Sequence, residues 1–271
     1  MNTLQKTAIA AAITGLFAPA AFAQAAPAAA PEPSPVTANV TVVSDYRFRG
    51  ISQSDQKPAI QGGFDYAHES GLYIGNWNSS ISWVSYLNPG VSAPIEMNFY
   101  GGFKKELIAP GFASDIGVYQ YAYPTQGNLT YVNPNTTEIY AAQNFTAGPV
   151  TGFVKFSYAV TNAFGNANST GSYYPDLTVN YDTGIWGIGL NAHVGYQYIA
   201  GSPGGISNSS TYSYTDWKIG FTKDFGGGLS GAVAYIDTNA KSLPGGGYAY
   251  TGPTGKNNGG ATGIVSLTKT F

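Results

Sequence analysis

Apolar and polar side chains take turns along most of this chain. In IEMNFYGGF, Ile95, Met97, Phe99 and Phe103 stand against Glu96, Asn98 and Tyr100. In VTGFVKFSY, Val150, Val154, Phe156 and Tyr158 stand against Thr151, Lys155 and Ser157. A period of two marks a β-strand whose faces meet different surroundings. Past Ala23 no uninterrupted apolar run approaches the ~20 residues a membrane-spanning helix needs. The alternation predicts twelve strands, near 37–49, 58–68, 71–83, 94–104, 114–123, 136–146, 149–160, 173–182, 185–198, 213–224, 229–238 and 261–271.

The connections alternate in length. HESG, TAGP, DTG and GGG are short, with KKELIAPG the exception, whereas 50–57, 84–93, 124–135, 161–172, 199–212 and 239–260 are long. Outer-membrane barrels combine short periplasmic turns, long external loops and an even strand count. A sandwich gives no reason for the regularity. Charged residues are 10% of the chain, against about 25% in soluble domains, while tyrosine reaches 21 and glycine 36. These features predict an all-β fold: a twelve-stranded antiparallel transmembrane outer-membrane β-barrel over 37–271, with both termini on the periplasmic side.

The N-terminus predicts export. Residues 1–23 carry Lys6, a small-apolar run and Ala21-Phe22-Ala23, which fits cleavage of a signal peptide before Gln24. Residues 24–36, QAAPAAAPEPSPV, read as an Ala/Pro-rich flexible periplasmic tail. Without Lys6, 11 basic and 14 acidic residues leave a net charge of −3. There is no basic stripe to meet nucleic acid. The location implies outer-membrane lipids, lipopolysaccharide and the barrel-assembly machinery as partners.

If the rings face lipid, the other face of each strand lines the lumen. That places Asp45, Arg47, Arg49, Asp65, Glu96, Glu138, Lys155, Asp176, His193, Asp216 and Lys218 inside, with Gln61, Asn76, Asn78 and Asn98. An Arg or Lys facing lipid near the midplane costs about 2–4 kcal/mol. In SDYRFRG, residues 44–50, Tyr46 and Phe48 are expected in an external aromatic girdle. Arg47 and Arg49 are expected at the mouth as selectivity residues, with Glu96 and Glu138 next. Such charges either pair across strands and fix register or select solutes by their field. Twelve strands leave a narrower lumen than the 16–18 of general porins, so small hydrophilic solutes are the expected cargo.

Enzyme signals are poor. The chain has no Cys and no G-x-S-x-G elbow. Its two His and scattered carboxylates give no metal-ligand spacing, and no phosphate-binding loop is present. No catalytic, metal or cofactor residue is therefore assigned. His68 sits at a turn, and His193 is mid-strand on the lumen side. Two alternatives stand beside the channel. An outer-membrane lipid hydrolase with His193 as base needs a Ser hydroxyl within hydrogen-bond reach. A closed structural or adhesive barrel needs a plugged lumen.

The final ATGIVSLTKTF, with Gly263, Val265, Leu267 and Phe271 at even steps, resembles the C-terminal assembly signal of bacterial barrels; Lys269 departs from it. SDYRFRGISQSD followed by PAIQGGFDYAHESGLYIGNWNS, with IEMNFYGGF, TDWKIGFTKDF and SLTKTF, resembles the TorF family of porins, also catalogued as the Gcw_chp proteobacterial family. The likeness covers about 37–271. It implies an outer-membrane barrel with channel activity and an undefined solute, and brings no catalytic residues.

Overall fold

The computed structural model describes residues 34–271 apart from 131 and 244. The predicted signal peptide and most of the Ala/Pro-rich tail lie outside the described residues. Twelve long strands form: β1 (Val36–Val43), β2 (Ala59–Ala67), β3 (Leu72–Ser80), β4 (Ile95–Ala109), β5 (Phe112–Ala122), β6 (Thr136–Ala147), β7 (Val150–Ala159), β8 (Tyr173–Asp182), β9 (Ile188–Gln197), β10 (Tyr214–Gly226), β11 (Leu229–Thr238) and β12 (Thr262–Thr270). Each pairs antiparallel with its chain neighbours, and β12 returns to β1, closing a barrel. Closure removes the sheet edges that would otherwise leave backbone groups unpaired in lipid. The seam is short: β1 and β12 share five paired positions, from Asn39↔Thr270 to Val43↔Ser266.

The two faces separate as the alternation predicts. Val42, Ile60, Ile116, Ile219 and Val265 point outward and are each at least 55% exposed. Their strand neighbours Gln61, Asp115, Lys218 and Ser266 point inward and are buried. The loop alternation has no exception after all. KKELIAPG mostly continues β4, which runs to Ala109, so only 110–111 turn the chain. There Gly111 adopts φ +83°, a conformation cheap only for glycine. Two five-residue helices, α1 (Trp83–Leu87) and α2 (Asn208–Tyr212), lie in long loops.

Two expectations are overturned. The first strand stops at Val43 and does not reach Arg49, so SDYRFRG leaves the wall. Residues 47–48 and 51–52 pair as a miniature hairpin, Arg47↔Ser52 and Phe48↔Ile51. Its two turn residues, Arg49 at φ +47° and Gly50 at φ +79°, have the positive φ pair of a tight hairpin turn that suits the twist of two strands. Tyr46 and Phe48 therefore do not join an external girdle; Tyr46 is 1% exposed.

The second correction concerns β3, whose faces are reversed. Tyr73 and Trp77 point inward, while Leu72 and Ile74 point outward with Asn76 and Asn78. Both faces carry apolar side chains, so parity alone is ambiguous. The aliphatic groups take the outside, and the rings bearing a polar atom take the lumen. The outward amides stay satisfied. Asn76 Nδ2 donates to the Asn98 carbonyl at 2.8 Å, and Asn78 Nδ2 donates to Asn76 Oδ1 at 2.6 Å.

Candidate functional site

The first long loop, 44–58, folds into the barrel and crosses it. β7 lies diametrically opposite β1 in a ring of twelve. Arg49, at the hairpin tip, reaches the strands around β7. Its guanidinium donates to Glu138 Oε1 at 3.0 Å and Oε2 at 2.7 Å on β6, and to Gln197 Oε1 at 2.7 Å on β9. It also lies 4.2 Å from the centre of the Tyr174 ring on β8 and 4.8 Å from that of Phe48. This two-pronged grip fits the planar fork to a carboxylate, which a Lys could not match. Burial opposes the charge on Arg49, but Glu138, helped by Tyr121 and Tyr174, more than offsets it, and the guanidinium is held above its ordinary value.

Arg47 has a different task. Its Nε donates to Asp45 Oδ2 at 2.6 Å, and its Nη1 donates to the carbonyls of Asn258 at 2.7 Å, Gly50 at 3.0 Å and Gly260 at 3.1 Å. It ties the crossing hairpin to the last long loop. Ser52 Oγ donates to the other oxygen of Asp45 at 2.6 Å. Tyr46 packs edge-on against Trp77 and donates to Glu96, 3.3 Å from each carboxylate oxygen. Burial, then the neighbouring Glu96, pushes the Tyr46 phenol well above its usual value.

Around this loop a largely aromatic core fills the end of the barrel that carries the long loops and continues down β3–β6 through Tyr73, Tyr100, Tyr119 and Tyr140. It joins Tyr46 to Trp77, Ile81, Val84, Tyr121, Tyr123, Ile236 and Ile264, with Phe48, Trp83 and Phe164 against it. The inward polar side chains are covered unevenly: Thr41, Asp65, Asn144, Lys155, Thr178, Asn191 and His193 are half-buried, whereas Lys104, Asp115, Ser230 and Thr268, close to the short-turn end, are buried. The lumen is thus lined by polar and charged side chains around a packed level crossed by the hairpin.

All eleven charged or titratable candidates lie inside, but only some meet. Asp45 meets Arg47, and Arg49 meets Glu138. Asp176 and Asp216 flank His193, at 3.9 Å from Nδ1 and 3.0 Å from Nε2. Asp65 accepts from Tyr100 Oη at 2.6 Å, Glu96 accepts from Asn98 Nδ2 at 2.7 Å, and Lys155 lies over the Tyr140 ring at 4.1 Å. Lys218 sits across from His193 in the β9–β10 pairing. Asn76 and Asn78 do not belong to the set. His193 is engaged by Tyr174 and Thr178 Oγ1, each at 2.9 Å, besides Asp216. The serine that a hydrolase would need is not among these contacts of the described residues.

The lumen also holds residues that the alternation did not single out. Tyr73 donates to Asp115 Oδ1 at 2.6 Å and bonds the Tyr140 hydroxyl, while Tyr174 donates to Asp216 Oδ2 at 2.8 Å. Lys104 Nζ donates to Asn144 Oδ1 at 3.3 Å. Their signal was partial: inward carboxylates supply acceptors for a buried phenol, but Tyr66, Tyr158, Tyr181, Tyr196 and Tyr235 are exposed on the outer face, so residue type alone does not choose the side.

Residues 26–271 match a family model described as a bacterial protein of unknown function (Gcw_chp). No curated protein matches the chain in sequence. Among solved structures, the KdgM porin superposes with a TM-score of 0.53 at 5% identity, over 87% of this chain and 99% of that one. The KdgM porin in complex with disordered oligogalacturonate gives 0.52 at 6% identity, over 87% and 98%. At such identity the likeness speaks for the barrel fold.

Proposed function

The chain belongs to the Gcw_chp family, and from that premise and the lumen geometry we propose that it is a porin-like outer-membrane channel, as the TorF porin resemblance implies. Small hydrophilic solutes diffuse through it passively. The observation that carries this reading is the sidedness of the barrel. Its outer wall is aliphatic and aromatic, while its inner wall carries amides, hydroxyls and charges, several of them half-buried. The fold neighbours that support it are porins, one of them in complex with oligogalacturonate. The loop 44–58, with its hairpin, is the constriction, and the Arg49–Glu138 grip holds it across the lumen.

The long loops face outward from the cell and the short turns face the periplasm. Export by a signal peptide cleaved before Gln24, insertion by the barrel-assembly machinery, and contact with lipopolysaccharide and other outer-membrane lipids complete the reading. It assigns no catalytic role to His193. The test is conductance of the refolded protein in planar bilayers. Discrete single-channel steps that enlarge in Arg49→Ala support a channel narrowed by the hairpin.

A closed structural barrel is the second reading, and one observation favours it: the hairpin crosses to the far wall within a packed apolar core. It predicts no steps in the wild type or in Arg49→Ala.

A further inference from the structure

The arginines at the constriction do not set the field of the lumen. Asp45 answers Arg47 and Glu138 answers Arg49, at 2.6 and 2.7 Å. Of the remaining acids, Asp115 lies across from Lys104 and Asp176 across from Lys155 in the strand pairing, but the hydrogen bonds these acids accept come mainly from neutral groups. Asp65 accepts from Tyr100 and Asp115 from Tyr73. Asp216 accepts from Tyr174 and contacts His193, and Glu96 accepts from Tyr46 and Asn98. A phenol or amide satisfies an oxygen but brings no positive charge, so the carboxylate's field extends past its own hydrogen bond.

Asp176 brings these acids to five, and the inward lysines opposing them are Lys104, Lys155 and Lys218. Asp182 and Asp224 occupy further inward positions at the periplasmic rim. The wall of β11, β12 and β1 turns only uncharged side chains inward, among them Ser230, Ser266 and Thr41. The field is therefore negative and is not cancelled across the lumen. A low-dielectric wall focuses such a field on whatever passes.

We infer that the lumen favours cations, so that a small positively charged solute passes more readily than an anion of similar size. This rests on the channel reading. The two arginines alone point to the opposite sign; their ion pairs remove them from the balance.

The test is the reversal potential of the refolded protein under a KCl gradient in planar bilayers. The charge-neutral double variant Arg49→Ala/Glu138→Ala is measured beside the wild type, so that the grip of the hairpin does not limit current. The expected result is a preference of K⁺ over Cl⁻ of several-fold in dilute salt. It shrinks towards 1 M KCl, as the screening length contracts from about 10 Å at 0.1 M to about 3 Å. Asp65→Asn, at a half-buried position, narrows the preference, and Lys155→Gln widens it. The triple variant Asp65→Asn/Asp115→Asn/Asp176→Asn removes most of it. Steps with a Cl⁻ preference overturn this inference and leave the channel standing. Absence of steps in both the wild type and the double variant overturns the channel reading itself.

Discussion

Arg49→Ala is the most informative single change. It removes three hydrogen bonds, two to Glu138 and one to Gln197, and the contact with the Tyr174 ring. Glu138 is then left buried with the Tyr121 hydroxyl, at 3.3 Å, as its remaining hydrogen-bond donor among the described residues. Breaking a buried pair by deleting one member costs about 3–5 kcal/mol, because the other charge is stranded. At about 1.4 kcal/mol per tenfold, the closed hairpin loses a factor of roughly 10² to several 10³ relative to a released one. Reversible urea unfolding in vesicles reads the stability, and bilayer recording reads the released state as larger steps. Glu138→Ala is expected to cost a similar amount, since it strands the guanidinium.

The double variant strands neither charge and is expected to lose less than the sum of the singles. Arg49→Gly separates backbone from side chain. It breaks the same grip, yet it relieves a left-handed φ that costs a non-glycine residue about 1–2 kcal/mol, so it should be less destabilised than Arg49→Ala. Additivity of the two alanine variants to within about 0.5 kcal/mol would refute the grip as the element holding the hairpin across the lumen.

Three further outcomes are expected. In Gly195→Ala the new methyl meets the Tyr174 hydroxyl and ring, and overpacking of this kind costs about 1–3 kcal/mol. The thermal unfolding temperature should fall, and displacement of Tyr174 should also enlarge the conductance steps. Burial, then Glu96, holds the phenols of Tyr46 and Tyr123 well above their ordinary value of 10.0. Above that pH the unfolded chain releases protons that the folded one keeps, so stability is full below pH 10 and falls as pH rises. Absorbance at alkaline pH should show tyrosines that ionise only with unfolding. Mass spectrometry of the protein recovered from the envelope should find Gln24 as its first residue; an intact Met1 would remove the signal-peptide assignment.

How far the sequence could be read depended on what each signal measures. Ion solvation is the strongest constraint on a lipid-facing wall, so the alternation alone puts Glu96, Lys155, Asp176 and Lys218 on the inner side. Alternation fixed the segments 173–182 and 229–238 to the residue. It failed at SDYRFRG, because a tight hairpin inside the lumen keeps the same period as a strand in the wall. Only the positive φ of Arg49 and Gly50 separates the two, and Arg-Gly is a weak turn signal beside Asn-Gly. Parity failed in β3 for a different reason. Leu72 and Ile74 compete with Tyr73 and Trp77, and ring size is a poorer guide to lipid than the absence of polar atoms. The Arg49–Glu138 contact joins residues 89 apart in the chain, and no local pattern encodes a partner across the lumen.

β1 is the strand that continues directly into the hairpin. It is held on one side by the five-position seam with β12 and on the other by eight paired positions with β2. A pull on its N-terminal end loads both ladders in shear, in which the bonds share the force instead of failing one after another. Any slip would be passed along eight residues straight to the element lying across the passage. Only the bent stretch 44–46 separates the wall's shortest ladder from the hairpin, so strain in the seam reaches the element lying across the lumen through three residues.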